Sequence, residues 1–157
     1  MRFNKSRALA CALVAALAAT FGPDLLSAGA QGGAELNAAG VEFVSAADLK
    51  EKLTKGTAVT LIDLRTANAF ASSDGKVSGA IHIKERRLRA RLGLPPLRDL
   101  PRDAEVVTYC ACPNDEAAVR AAQTLSSAGF KRVRVLKGGW RAWLDARGQV
   151  EAKPRGQ

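Results

Sequence analysis

Two hydrophobic rhythms alternate along the chain, and the switches between them mark out its elements. Ala58–Asp63 (AVTLID) is a nearly unbroken apolar run, the pattern of a strand covered on both faces, and Glu105–Tyr109 (EVVTY) reads as a central strand. Glu42–Val44, Ala80–Ile83 and Arg132–Leu136 are further strand candidates. Between them lie helix-period segments. Ser45 caps one that runs to about Lys55 with Asp48 in its first turn, and a short one follows near Ala67–Phe70. After a turn at Asp74-Gly75 and the next strand, Lys84–Arg91 is a basic helical segment, ended by Gly93 and Pro95-Pro96. Pro113–Ser127 spaces Ala and Leu for one buried face and closes at Gly129, and Gly139 to about Arg147 is the last helix. Alternation of this kind predicts an α/β domain with a central, mainly parallel sheet flanked by helices.

The amino terminus does not share the pattern. Arg2, Lys5 and Arg7 precede an uncharged Ala- and Leu-rich run from Ala8 to Phe21, and Ala28-Gly29-Ala30 supplies small residues. This is the layout of a secretory signal peptide. The apolar run falls short of the about 20 residues a spanning helix needs. The expected organisation is a signal peptide over 1–30, a flexible lead-in over 31–40, one domain over 41–150 and a loose tail over 151–157. The expected location is periplasmic or secreted, with membrane contact only through an uncleaved N-terminus.

The formal net charge of +9 favours anionic partners, whether small oxyanions, nucleic acid or an acidic membrane surface. No helix-turn-helix pattern, zinc-finger spacing or interleaved aromatics occurs, so nucleic acid is not expected. The run Lys84–Arg91 reads first as a solvated face that could also attract anions.

Cysteine changes the picture more than charge does. Cleavage after Ala30 would remove Cys11 and leave only Cys110 and Cys112, in a compartment where unprotected thiols oxidise. In parallel sheets ligands bind beyond the carboxyl ends of the strands. Those ends carry Asp63 and Arg65, His82, Cys110 and Cys112, and Lys137 with Gly138-Gly139. A thiolate at a strand-to-helix turn meets backbone N–H groups and the positive end of a helix dipole, which lower its pKa and hold anions. Pro113 suits the first helical position, which would put Cys112 at or near the N-cap. Asp63 and Arg65 read as a structural ion pair ahead of catalysts, and His82 as a structural residue ahead of a base. Gly138-Gly139 lets a helix approach closely.

These residues carry a resemblance. Val106–Trp143 resembles the catalytic half of a rhodanese domain: a strand, "YC", a loop, a helix ending in "GF", another strand, then "GGxxxW". Leu61–Arg65 (LIDLR) is similar to that family's "D-x-R" segment, and Gly75–Ile83 (GKVSGAIHI) to its "GHIPGAxHI" segment. The resemblance spans about residues 41 to 147 and implies a rhodanese-like three-layer domain. It also implies a sulfurtransferase mechanism without cofactor or metal. A loop cysteine takes the outer sulfur of a donor as a persulfide and passes it to a thiophilic acceptor. The implied partners are a small sulfur-containing anion and a thiol acceptor.

The loop departs from the family pattern C-x-x-G-x-R. Here it reads Cys110-Ala111-Cys112-Pro113-Asn114-Asp115, with Pro113 in the Gly position, Asp115 in the Arg position and Glu116 following. Two carboxylates beside a thiolate oppose a dianionic donor such as thiosulfate and raise the thiol pKa. Counting from the strand makes Cys110 the nucleophile; counting back from Gly129-Phe130 makes it Cys112, which otherwise serves as resolving thiol. The strand register favours Cys110. Two other readings stand beside sulfur transfer: a catalytically weak binding module, and a thiol–disulfide or soft-metal role for the pair.

Overall fold

A computed structural model of the chain describes residues 35–36 and 40–153. The expected signal peptide and residues 154–157 lie outside the described residues.

The strand candidates assemble into one six-stranded sheet. Its strands are β1 (Glu35–Leu36), β2 (Glu42–Val44), β3 (Val59–Asp63), β5 (Ile81–His82), β6 (Glu105–Tyr109) and β7 (Arg132–Leu136), in the order β1-β2-β7-β6-β3-β5. All pairings are parallel except that of β1 with β2. The register sets Asp63 beside Tyr109 and His82 beside Asp63, so three strands end level with one another.

Alternation along the strands sends side chains to two cores. Ile62, Val106, Val133 and Val135 pack with Ala118, Ala121, Ala122 and Leu125 of α4 (Glu116–Ser127) and with Leu88 of α3 (Leu88–Arg91). Leu61, Val107, Tyr109 and Leu136 pack with Leu49 of α1 (Ala46–Thr54) and Trp143 of α5 (Gly139–Asp145). A fully buried Leu such as Leu49 or Leu125 contributes about 1.5–3 kcal/mol through the water it sheds. Helices on both faces of a mainly parallel sheet give the expected α/β architecture. Ser45 caps α1 by accepting from the Asp48 N–H at 3.0 Å, and Thr66 caps α2 (Ala67–Ala71) by accepting from the Ala69 N–H at 3.2 Å.

The structure corrects the expected organisation in four places. Helix α4 starts at Glu116 and not at Pro113, so Asp115, not Cys112, is its N-cap. Asp115 has φ of 54°, a left-handed conformation that a right-handed helix cannot contain. The tail expected to be loose from residue 151 instead supplies β8 (Val150–Ala152), paired antiparallel with β4 (Gly75–Val77). Lys76, which is buried, binds Glu151, and Lys153 donates to the carbonyls of Phe70 and Ala71, so charge pairing orders a stretch whose sequence is polar. Finally, β1 lies inside the stretch expected as flexible lead-in, and β4 lies where only a turn was expected.

Candidate functional site

The site is built on the loop from Cys110 to Asp115, between β6 and α4. Cys110 continues β6 and is 2 % exposed, in the core beneath α4. Ala111, Pro113 and Asn114 are exposed, whereas Cys112 is half-buried. The sulfurs of Cys110 and Cys112 are joined in a disulfide, with their Cα atoms 5.7 Å apart. The Cys112 N–H also points at the Cys110 Sγ, 3.4 Å away.

Both ends of this loop are pinned to the start of α5. Trp140 N–H donates to the Cys110 carbonyl at 2.8 Å, and Gly138 N–H donates to Asp115 Oδ2 at 2.7 Å. Gly139 permits the approach: a Cβ there would lie 2.2 Å from the Cys110 carbonyl oxygen, and its φ is +49°. So the glycine pair fits the helix start against the cysteine loop. Asp115 is turned inward toward Gly138. Its Oδ1 is buried with no hydrogen-bond partner among the described residues. Burial raises its pKa, and the Gly138 hydrogen bond only partly opposes this.

Beneath the loop lies a buried polar cluster. Arg65 Nε contacts both Asp63 oxygens, at 3.0 and 2.9 Å, and one terminal nitrogen reaches Asp63 Oδ2 at 2.7 Å. The remaining donors reach Ser73 Oγ at 2.8 Å and the Gly75 carbonyl at 2.9 Å. Tyr109 donates to Asp63 Oδ2 at 2.8 Å and accepts from Val77 N–H at 3.2 Å. Burial and the neighbouring Asp63 carboxylate hold the Tyr109 phenol far above its ordinary pKa. The guanidinium lies 4.2 Å from the Trp140 ring centroid, which ties this cluster to the residue that holds Cys110. Asp63 and Arg65 thereby brace the floor of the site.

His82 stands apart. Its Nε2 donates to the Arg65 carbonyl at 3.0 Å and its ring stacks on Phe70 at 3.8 Å. It lines a separate depression with Phe70, Lys84, Arg87 and Arg91, not the cavities at the cysteines.

Two cavities meet at the loop. The smaller, about 90 Å³, is walled by Leu64, Ala69, Ala117 and both cysteines. The larger, about 520 Å³, is reached by Cys112 but not Cys110. Its other walls are Leu64–Asn68, Lys84–Arg86, Glu116, Ala117 and Arg120. Arg120 is engaged by Glu85 at 2.7 and 3.0 Å and by Glu116 at 3.8 Å. The hydrogen bond from Arg120 lowers the Glu85 pKa. Lys84 and Arg86 make no ion pair among the described residues, so they lend the cavity its positive charge. Sequence reasoning had the basic run but not its place beside Cys112, and it missed Arg120. Helical spacing could have found Arg120, since it lies four residues beyond Glu116 on α4. Among the described residues no group of three or more His, Cys, Asp or Glu is placed to hold a metal.

A two-core α/β domain with a cysteine loop at the carboxyl ends of its parallel strands defines the class of protein. The family model described as the rhodanese-like domain matches residues 45–146, and the chain belongs to that family. It is similar to the thiosulfate sulfurtransferase GlpE of Shewanella oneidensis, 30 % identical over 95 residues, 60 % of this chain and 85 % of that one. Among solved structures it resembles the Alr3790 protein of Anabaena sp., with TM-score 0.59 and 32 % identity over 70 % of this chain and 82 % of the other. It also resembles the human single-domain sulfurtransferase TSTD1, with TM-score 0.55 and 25 % identity over 66 % and 95 %.

Proposed function

We propose that this protein moves sulfane sulfur from a donor to a thiophilic acceptor through a cysteine persulfide on the Cys110/Cys112 pair. It does so in an exported compartment, as the layout of residues 1–30 suggests. One observation supports the reading: the loop brings Cys112 to the wall of a cavity of about 520 Å³ that also includes Lys84 and Arg86. Sulfurtransferase names among the relatives support the reaction class.

Access favours Cys112 as the carrier, although the strand register favours Cys110. Its thiolate attacks the outer sulfur of the donor; the donor's S–S bond breaks, and the remainder leaves with the electron pair, as sulfite if the donor is thiosulfate. The acceptor then attacks the outer sulfur, and the Cys112 thiolate is released. Lys84 and Arg86 draw the anionic donor into the cavity, and Asp115, turned toward Gly138, leaves the entrance free of its charge.

The test is thiocyanate formation from cyanide with thiosulfate or an organic persulfide as donor, in the wild type and in Cys110→Ser and Cys112→Ser. Turnover that is lost in Cys112→Ser and kept in Cys110→Ser supports the reading. Loss only in Cys110→Ser moves the carrier to the strand end. No thiocyanate from any of the three with either donor overturns the transferase reading.

A further inference from the structure

Sulfur transfer by a persulfide needs one sulfur, yet this loop carries two that reach bonding contact while the fold around them stays anchored. The Cys110 carbonyl is held by Trp140 and the Asp115 carboxylate by Gly138, so both ends of the loop are fixed to α5. Ala111, Pro113 and Asn114 between them are exposed. The two sulfurs are also unequal. Cys112 faces the larger cavity, whereas Cys110 is in the core behind it. The backbone N–H of Cys112 aims at the Cys110 sulfur, where it stabilises negative charge on that atom. A half-buried cysteine at the cavity wall and a buried one behind it with an N–H donor make an asymmetric pair.

Resting on the persulfide reading above, we infer that the pair is a sulfane-sulfur reductase: Cys110 discharges the Cys112 persulfide internally, releasing sulfide and forming the Cys110–Cys112 disulfide. Cys110 Sγ attacks Cys112 Sγ, and the bond between Cys112 Sγ and the sulfane sulfur breaks. The electron pair leaves on the sulfane sulfur, which takes the Cys110 proton and departs into the cavity as HS⁻. Both cysteines are oxidised, and the sulfane sulfur gains their two electrons. An external dithiol restores the pair. One of its thiolates attacks the reachable Cys112 Sγ, freeing Cys110 as a thiolate facing the Cys112 N–H. The second thiol of the reductant then displaces Cys112, and the reductant leaves as its disulfide. The substrate class is therefore a sulfane-sulfur anion, and the consumed partner is a dithiol and not cyanide.

The experiment is a single turnover without acceptor. The whole chain carrying Cys11→Ser, reduced and freed of reductant, receives stoichiometric thiosulfate or organic persulfide. Trapped sulfide, free thiols and intact mass are then followed. The expected result is one sulfide per chain, loss of both thiols, and a mass two hydrogens below that of the reduced protein. In the same background Cys110→Ser should keep the added sulfur on Cys112 and release no sulfide. A wild type that retains the extra sulfur and releases no sulfide, but makes thiocyanate, overturns this inference and leaves the transferase reading standing. No sulfur uptake by the wild type from either donor overturns both. The wild-type measurement decides the matter even if Cys110→Ser fails to fold.

Discussion

A Cβ on Gly139 would stand 2.2 Å from the carbonyl oxygen of Cys110, closer than any side chain can come. The start of α5 and the cysteine loop are therefore in backbone contact, and the Trp140 N–H to Cys110 carbonyl bond depends on it. Gly139→Ala must push the loop away and also strain a φ of +49°. A stability loss of about 2 kcal/mol or more is expected, with sulfur uptake falling further than stability explains. Denaturant melts and single-turnover mass measurement check this. A variant as stable and as reactive as the wild type would refute the contact.

Arg65 is expected to be the most sensitive charged position. Its guanidinium neutralises Asp63 where both side chains are fully buried. Arg65→Met keeps bulk and removes the charge, leaving the Asp63 carboxylate without its cation. The expected cost is about 3–5 kcal/mol, as for other buried pairs broken on one side. The double variant Asp63→Asn with Arg65→Met should recover part of that loss, because no unpaired charge remains. Equal melting points for the single and double variants would show that the pair is not coupled in this way.

Asp115 sets a pH dependence of the opposite sign from most carboxylates. Burial raises its pKa, so the folded chain binds the proton more readily than the unfolded chain. Its ionisation therefore costs stability. That cost is absent below the unfolded-state pKa, grows as pH rises, and is complete above the folded-state pKa. Asp115→Asn keeps an oxygen for the Gly138 N–H, suits the left-handed backbone at this position and removes the charge. At neutral pH the variant should be more stable than the wild type, with the gap closing as pH falls. Melting temperatures of both proteins across acidic pH read this directly. A gap that widens on acidification would reverse the assignment.

Legibility in the sequence followed physical range. Strands β3 and β6 could be read because burial leaves short, largely apolar runs, β7 because Val133 and Val135 alternate with Arg132 and Arg134, and Ser45 because capping is local. The segments holding Asp63, Cys110 and Gly138 also carried enough short-range pattern to indicate a strand-end site. What escaped was set by distant partners. Val150–Ala152 becomes a strand only because Gly75–Val77 offers an edge and Lys76 draws Glu151. The helix boundary at Glu116 follows from the left-handed turn at Asp115, which the Gly138 N–H anchors. Which cysteine faces the cavity is not encoded by period either, since regular alternation stops where β6 ends at Tyr109. The remaining walls of the cavity come from α2, the Lys84–Arg86 segment and α4, which only folding brings together.

That assembly sets one further expectation, because the charge of the cavity is divided between spent and available cations. Arg120 is already matched by Glu85 and Glu116, whereas Lys84 and Arg86 make no ion pair among the described residues. Arginine and lysine on an open wall act at range and are screened by salt, with a Debye length of about 10 Å at 0.1 M. The double variant Lys84→Ala with Arg86→Ala should therefore lower kcat/KM for thiosulfate several-fold, chiefly through KM, and leave kcat nearly unchanged. Added salt should slow the wild type with thiosulfate and have little effect on the variant. Arg120→Ala behaves differently: it frees Glu85 and Glu116, so the cavity becomes more acidic and thiosulfate should be disfavoured more than by neutralising Lys84 alone. Steady-state kinetics at low and high ionic strength distinguish these cases. Identical salt slopes for the wild type and the double variant would mean that the two cations do not gather the donor.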